Sequence, residues 1–155
     1  MNGVSIFTYD LFVDYTRSVE EMVKAGAYYT WNKDINSNSY PISSDKIGTK
    51  EHLSASLFCF HRYIKAEQAI EMMVENKSRT ATAHELLAFG EKYPSLQMRA
   101  PIIALGSTWW GSIANYVLIL DSNGVWRELL VIEFNRMFAR DFRFLGINNL
   151  PLKPK

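Results

Sequence analysis

The sequence predicts an α+β fold. Two observations carry this reading: helix-start signals of the capping-box type lie upstream of Pro101, and strand-like apolar runs with a hairpin signal follow it. The length, 155 residues, suits one domain, 1–155, with no internal repeat. Residues 6–13, rich in aromatic and β-branched side chains, read as a first strand. In Ser18-Val19-Glu20-Glu21 a hydroxyl and a carboxylate three residues apart can satisfy orphan helix N–H groups. Val19, Met22 and Val23 then share a helical face, and Gly26 is placed to end the helix as its C′ residue.

Residues 28–51 are polar and turn-rich, punctuated by Trp31, Ile35, Tyr40 and Ile42, which predicts an ordered connection pinned by apolar side chains. Residues 53–61 return as a strand with Leu53, Ala55, Leu57, Cys59 and His61 on one face. A second helix is expected over residues 65–76. A third opens at Thr82-Ala83-His84-Glu85 and stops at Tyr93-Pro94, with His84 solvated in its first turn. Candidate strands follow at 102–105, 116–120, 125–134 and 142–147. Between two of them, Asp121-Ser122-Asn123-Gly124 suggests a hairpin with a type I′ turn.

Composition narrows the function classes. Hydrophobic residues make up 48% of the chain and the formal charge is +1, so a packed core is expected and a broad nucleic-acid-binding face is not. A single cysteine excludes an intramolecular disulfide and any multi-thiolate zinc site, and Cys59 in its apolar context reads as a buried thiol. No apolar run is long enough to span a bilayer and no secretory signal is visible, so no membrane partner and a cytoplasmic setting are expected. His52, His61 and His84 form no metal-binding spacing, and a calcium loop beginning at Asp121 would need an acid where Ile132 stands. No cofactor, metal or catalytic residue is therefore predicted. His61-Arg62 at a strand end suits an anion, although a structural role is the ordinary reading.

Residues 125–134 carry two alternating sets. Val125, Arg127, Leu129 and Val131 share one face; Trp126, Glu128, Leu130 and Ile132 share the other. Either this is a central strand buried on both sides, or one face is a mixed recognition surface. The following Asn135-Arg136-Met137-Phe138-Ala139-Arg140-Asp141 reads as a polar loop around one aromatic.

Arg79-Thr80-Ala81-Thr82-Ala83-His84-Glu85-Leu86-Leu87-Ala88-Phe89-Gly90 resembles the R-x-A-T-x-x-E-L-L-A-F-G segment of a family of bacterial and viral proteins with a C-type-lectin-like end. Lys92-Tyr93-Pro94-Ser95-Leu96-Gln97, the stretch from Pro101 to Trp109, and Phe142-Arg143-Phe144-Leu145, similar to a Y-R-F-L final strand, continue the resemblance. Many members resemble variable proteins of diversity-generating retroelements, in which a reverse transcriptase rewrites codons near the end of the gene. The resemblance implies a C-type-lectin-like carboxy-terminal half, with a core segment 79–147 and a ligand-display region 116–141. It makes Arg127, Leu129, Val131, Phe134, Phe138, Phe142, Arg143 and Phe144 scaffold. It makes Asp121, Ser122, Trp126, Glu128, Leu130, Ile132, Asn135, Arg136, Met137, Ala139, Arg140 and Asp141 the binding positions. Glu133 and Phe138 stand where the family usually has tryptophans, and residues 146–155 replace its short basic end.

The resulting expectation is a non-enzymatic module that binds an unknown protein or small ligand, with the oligomeric state open. It requires that Trp126, Leu130 and Ile132 not all be buried. The alternatives are a structural or interaction subunit, of a phage or secretion apparatus, that oligomerises through its apolar strand face, and an enzyme whose cleft brings together groups such as His61, Arg62 and Glu133.

Overall fold

The structure, a computed structural model, describes residues 3–149. Its elements run β1 (Ser5–Asp14), α1 (Val19–Ala25), β2 (Thr30–Trp31), β3 (Lys50–Cys59), β4 (Ile64–Lys65), α2 (Ala66–Glu75), β5 (Ser78–Thr80), α3 (Ala83–Lys92), a 3-10 turn (Leu96–Met98), β6 (Ile102–Trp110), β7 (Asn115–Ser122), β8 (Arg127–Glu133), β9 (Met137–Phe138) and β10 (Arg143–Asn148). The fold is α+β. Seven strands follow the order β1-β3-β10-β6-β7-β8-β2, β5 adds to β10, and β4 pairs separately with β9. The last strand sits in the middle: β10 runs antiparallel to β3 and parallel to β6. Strands from both halves of the chain thus share one sheet, and segment 79–147 is not a separate layer.

Period-two alternation sorts each strand between two cores. Leu57, Leu145, Ile102, Leu118 and Leu129 face a core closed by α1 and α3. Phe58, Phe144, Ile103, Ile119 and Val117 face a second core closed by α2 and by the chain between β8 and β10. Burying an aliphatic or aromatic side chain is worth about 1.5–3 kcal/mol, so these cores rather than surface ion pairs hold the fold.

Both predicted capping boxes form. Ser18 Oγ accepts from Glu21 N at 3.1 Å while Glu21 accepts from Ser18 N at 2.8 Å, and Thr82 with Glu85 repeats the arrangement. Three local expectations are corrected. Gly26 is right-handed (φ −70°) and Ala27 takes the left-handed turn (φ 53°). Glycine is needed at 26 for space, because a Cβ would sit 2.3 Å from the Tyr28 ring. The β7–β8 hairpin is not a two-residue type I′ turn: Ser122 pairs with Arg127, and only Gly124 in the intervening loop has positive φ. His84 is buried, not solvated; its Nε2 lies 3.0 Å from the Tyr40 carbonyl, and burial lowers its pKa.

Tyr40 and Ile35 pin the long connection as expected, the Tyr40 hydroxyl donating to the Tyr116 carbonyl at 3.0 Å. Trp31 does not; it stands 49% exposed.

Candidate functional site

The β7–β8 hairpin projects from one end of the sheet and is held rigidly from within. Asn123 Oδ1 accepts from the backbone N–H of Val125 at 3.0 Å and of Trp126 at 2.7 Å, in addition to the backbone bond from Asn123 N–H to the Trp126 carbonyl at 3.2 Å. Behind it, Arg127 is fully engaged. Its Nη1 donates to the Gly26 carbonyl, Nη2 to the Gly90 carbonyl at 2.7 Å, and Nε to Gln97 Oε1 at 3.2 Å. Gly26 caps α1 and Gly90 lies in the last turn of α3, so one cation satisfies carbonyls at two negative helix ends. The guanidinium also lies 4.6 Å from the Tyr28 ring centre, and burial pushes that hydroxyl's pKa up to about 12.

On this base the Trp126 indole stacks on Tyr29, with ring centres 4.7 Å apart and planes 15° from parallel. Trp126 is 48% exposed and Tyr29 64%. Trp31, two residues after Tyr29, borders a largely apolar groove of about 520 Å³ floored by Val23, Tyr28 and Ile35, with Lys24 and Lys33 at its margin. Tyr29 is brought to Trp126 because its N–H donates to the Arg127 carbonyl at 2.9 Å and the following Thr30 and Trp31 pair in parallel with Glu128 and Leu129.

The remaining expected binding positions fall in three settings. Asp121 and Glu128 are directly opposite on β7 and β8, half-buried, and their carbonyls share a donor in Gln97 Nε2; Ser122 follows beside them. Leu130 and Ile132 are half-buried against the second core, opposite Ile119 and Val117. The segment after β8 crosses that core, pinned at four-residue intervals by half-buried Phe134, fully buried Phe138 and half-buried Phe142. Between these pins Asn135, Arg136, Met137, Arg140 and Asp141 are exposed and Ala139 is half-buried. Trp126 and Met137 therefore do not share one flat face. The first lies at the hairpin end of the sheet and the second beside Lys65, with which it pairs.

The polar groups named for a catalytic cleft lie apart. A single register row, Cys59–Arg143–Ile102–Leu120–Leu129, crosses the sheet at the hairpin end. His61 lies two residues past that row, beyond the end of β3, whereas Glu133 lies four residues away in the other direction along β8, opposite Tyr116. Glu85 is buried, but its carboxylate is taken up by Arg79 (2.7 and 2.9 Å) and by the α3 cap. Among the described residues, no group of three or more His, Cys, Asp or Glu is placed to hold a metal ion, and no helix is long and apolar enough to cross a membrane.

Tyr29 and Trp31 are the site residues that sequence reading overlooks. The available signal was the run Tyr28-Tyr29-Thr30-Trp31 directly after a helix stop, but nothing local ties it to a hairpin about a hundred residues downstream. No protein-family model, curated protein or solved structure matches the chain.

Proposed function

We propose that the protein is a non-enzymatic binding module of the C-type-lectin-like, retroelement-diversified type, with Trp126 at the centre of its ligand surface. The observation that carries the reading is the exposed Tyr29–Trp126 stack set on the Arg127 anchor. Exposed, pre-ordered aromatic rings beside an apolar groove offer large contact area at small entropic cost, as recognition surfaces require. Asp121, Glu128 and the exposed residues between the phenylalanine pins supply polar variety around it. We place the protein in a reducing compartment such as the cytoplasm, in keeping with its one buried thiol.

Screening on peptide and oligosaccharide arrays, with wild type and Trp126→Ala side by side, tests the ligand surface. Substitution of an exposed residue should leave the melting temperature nearly unchanged while selective signals fall about tenfold or more. Identical array profiles for the two proteins would remove Trp126 from the site. Diversification has its own test: the adjacent DNA should encode a reverse transcriptase and a near-copy of the region coding for residues 116–144.

One observation favours the interaction-subunit reading. Among the described residues β1 ends the sheet with no strand partner on its outer edge, and Ile6 and Phe7 are 42% and 53% exposed. Light scattering separates the two: a stable oligomer dissolved by Phe7→Asp supports the subunit, and a monomer supports the binding module.

A further inference from the structure

A cleft of about 340 Å³ opens where β3 ends and β10 begins, at the hairpin end of the sheet but on the far side of β6 and β7 from Trp126. Arg99, Arg140 and Arg143 line it, together with His61, Cys59 and Asp141. The ion pairs among the described residues are Arg17–Glu91, Lys46–Glu51 and Arg79–Glu85, so none of the three cleft arginines is spent on a carboxylate. Arg143 Nε is buried and has no hydrogen-bond partner in the protein. A guanidinium N–H shielded from water and left unpaired is costly, and a bound anion is the partner that relieves it.

The cleft is also shaped. Arg140 Nε donates to the His61 carbonyl at 3.3 Å, which holds this otherwise exposed side chain across the opening. His61 adopts a left-handed backbone (φ 56°), and its ring is fixed between Ser5 Oγ at 2.7 Å and Cys59 Sγ at 3.6 Å. A non-glycine residue held in that conformation is strain that the surrounding structure must maintain, a frequent property of ligand sites. Asp141 is the one acid in the lining, so the balance of charge is positive.

We propose that this cleft binds a phosphate group through Arg99, Arg140 and Arg143. Planar guanidinium forks match the oxygen pairs of a tetrahedral oxyanion, which a set of lysines would not. The volume lies at the lower end of the roughly 300–1,000 Å³ range of small-ligand sites, leaving room beyond one phosphate for a small group esterified to it. The cleft shares Arg140 and Asp141 with the display positions, but its test does not depend on Trp126: phosphate binding here stands or falls whatever Trp126 contacts.

Isothermal titration calorimetry with inorganic phosphate and with glycerol phosphate, against sodium chloride of matched ionic strength, provides the test. The wild type should show saturable binding. The Arg99→Gln/Arg140→Gln variant, altered only at exposed side chains, should bind about tenfold or more weakly. Arg143→Lys, which keeps the charge and loses the fork, should weaken binding as well, with circular dichroism confirming both folds. Tighter binding of the ester identifies a phosphorylated small molecule as the ligand, and equal binding identifies free phosphate. Heats indistinguishable from the chloride control, or an undiminished affinity in Arg99→Gln/Arg140→Gln, would overturn the proposal.

Discussion

One face of the sheet is closed by α1 and α3, the other by α2 and an irregular chain segment. On the first face, two capping boxes, the buried Glu85 carboxylate and the Arg127 clamp satisfy helix ends individually. On the second, between β8 and β10, hydrogen bonding is limited to the short β4–β9 pairing and a few backbone bonds such as Phe134 N–H to the Asn115 carbonyl (2.8 Å), and Phe134, Phe138 and Phe142 supply the packing. The contrast shows two ways of fixing a surface. A hairpin tip can be locked by directional bonds, as at Trp126, or a loop can be tacked down by large apolar side chains that leave the intervening positions free. The second arrangement tolerates substitution between its pins, because the pins and not the exposed residues carry the packing.

The largest expected effect breaks each face in turn. Phe89→Ala and Phe138→Ala both empty a fully buried ring site, and each should cost about 3–5 kcal/mol in urea denaturation. Hydrogen exchange should separate them: Phe89→Ala lowers protection throughout the sheet, whereas Phe138→Ala lowers it first in residues 134–142. Equal loss of protection everywhere in both variants would show that the return segment is not a distinct unit.

A smaller effect sharpens the first face. Gly26→Ala forces a Cβ into the Tyr28 ring, under the Arg127 clamp, and overpacking of this kind costs about 1–3 kcal/mol. If Gly26 served only as a flexible helix stop, alanine would be harmless at its right-handed φ, and thermal unfolding distinguishes the two cases.

The smallest is a pH effect, again confined to the first face. Burial lowers the His84 pKa below its ordinary value, so the unfolded chain binds the proton more readily than the folded one. The His84 contribution is complete above the unfolded pKa of about 6.5 and declines as pH falls through the folded value. His84→Gln should flatten this part of the stability–pH curve relative to wild type; an unchanged slope would assign it to other groups.

Helix starts were legible because a capping box is complete within four residues: Ser18 with Glu21 and Thr82 with Glu85 need no distant partner. The alternation of residues 125–134 was legible for the same reason, and the sheet realises it as two cores, with Leu129 facing one and Leu130 the other. Gly26 was visible as a helix stop, but its reason was not, since the Tyr28 ring reaches it only through the local fold. His84 reads as solvated because nothing adjacent announces that the Tyr40 carbonyl covers it from forty-four residues away.

By itself, then, the sequence determined the α+β class, the helix N-caps and the strand faces, all consequences of short-range geometry. Tertiary structure alone decided that β10 lies at the centre of the sheet, that Tyr29 stacks on Trp126, and that Arg127 is consumed by carbonyls while Arg99, Arg140 and Arg143 are left facing a cleft. The physical reason is that identical side chains acquire different roles from partners far away in sequence. A guanidinium surrounded by helix-end carbonyls is an anchor, and one left without a counter-charge keeps its donors for another partner.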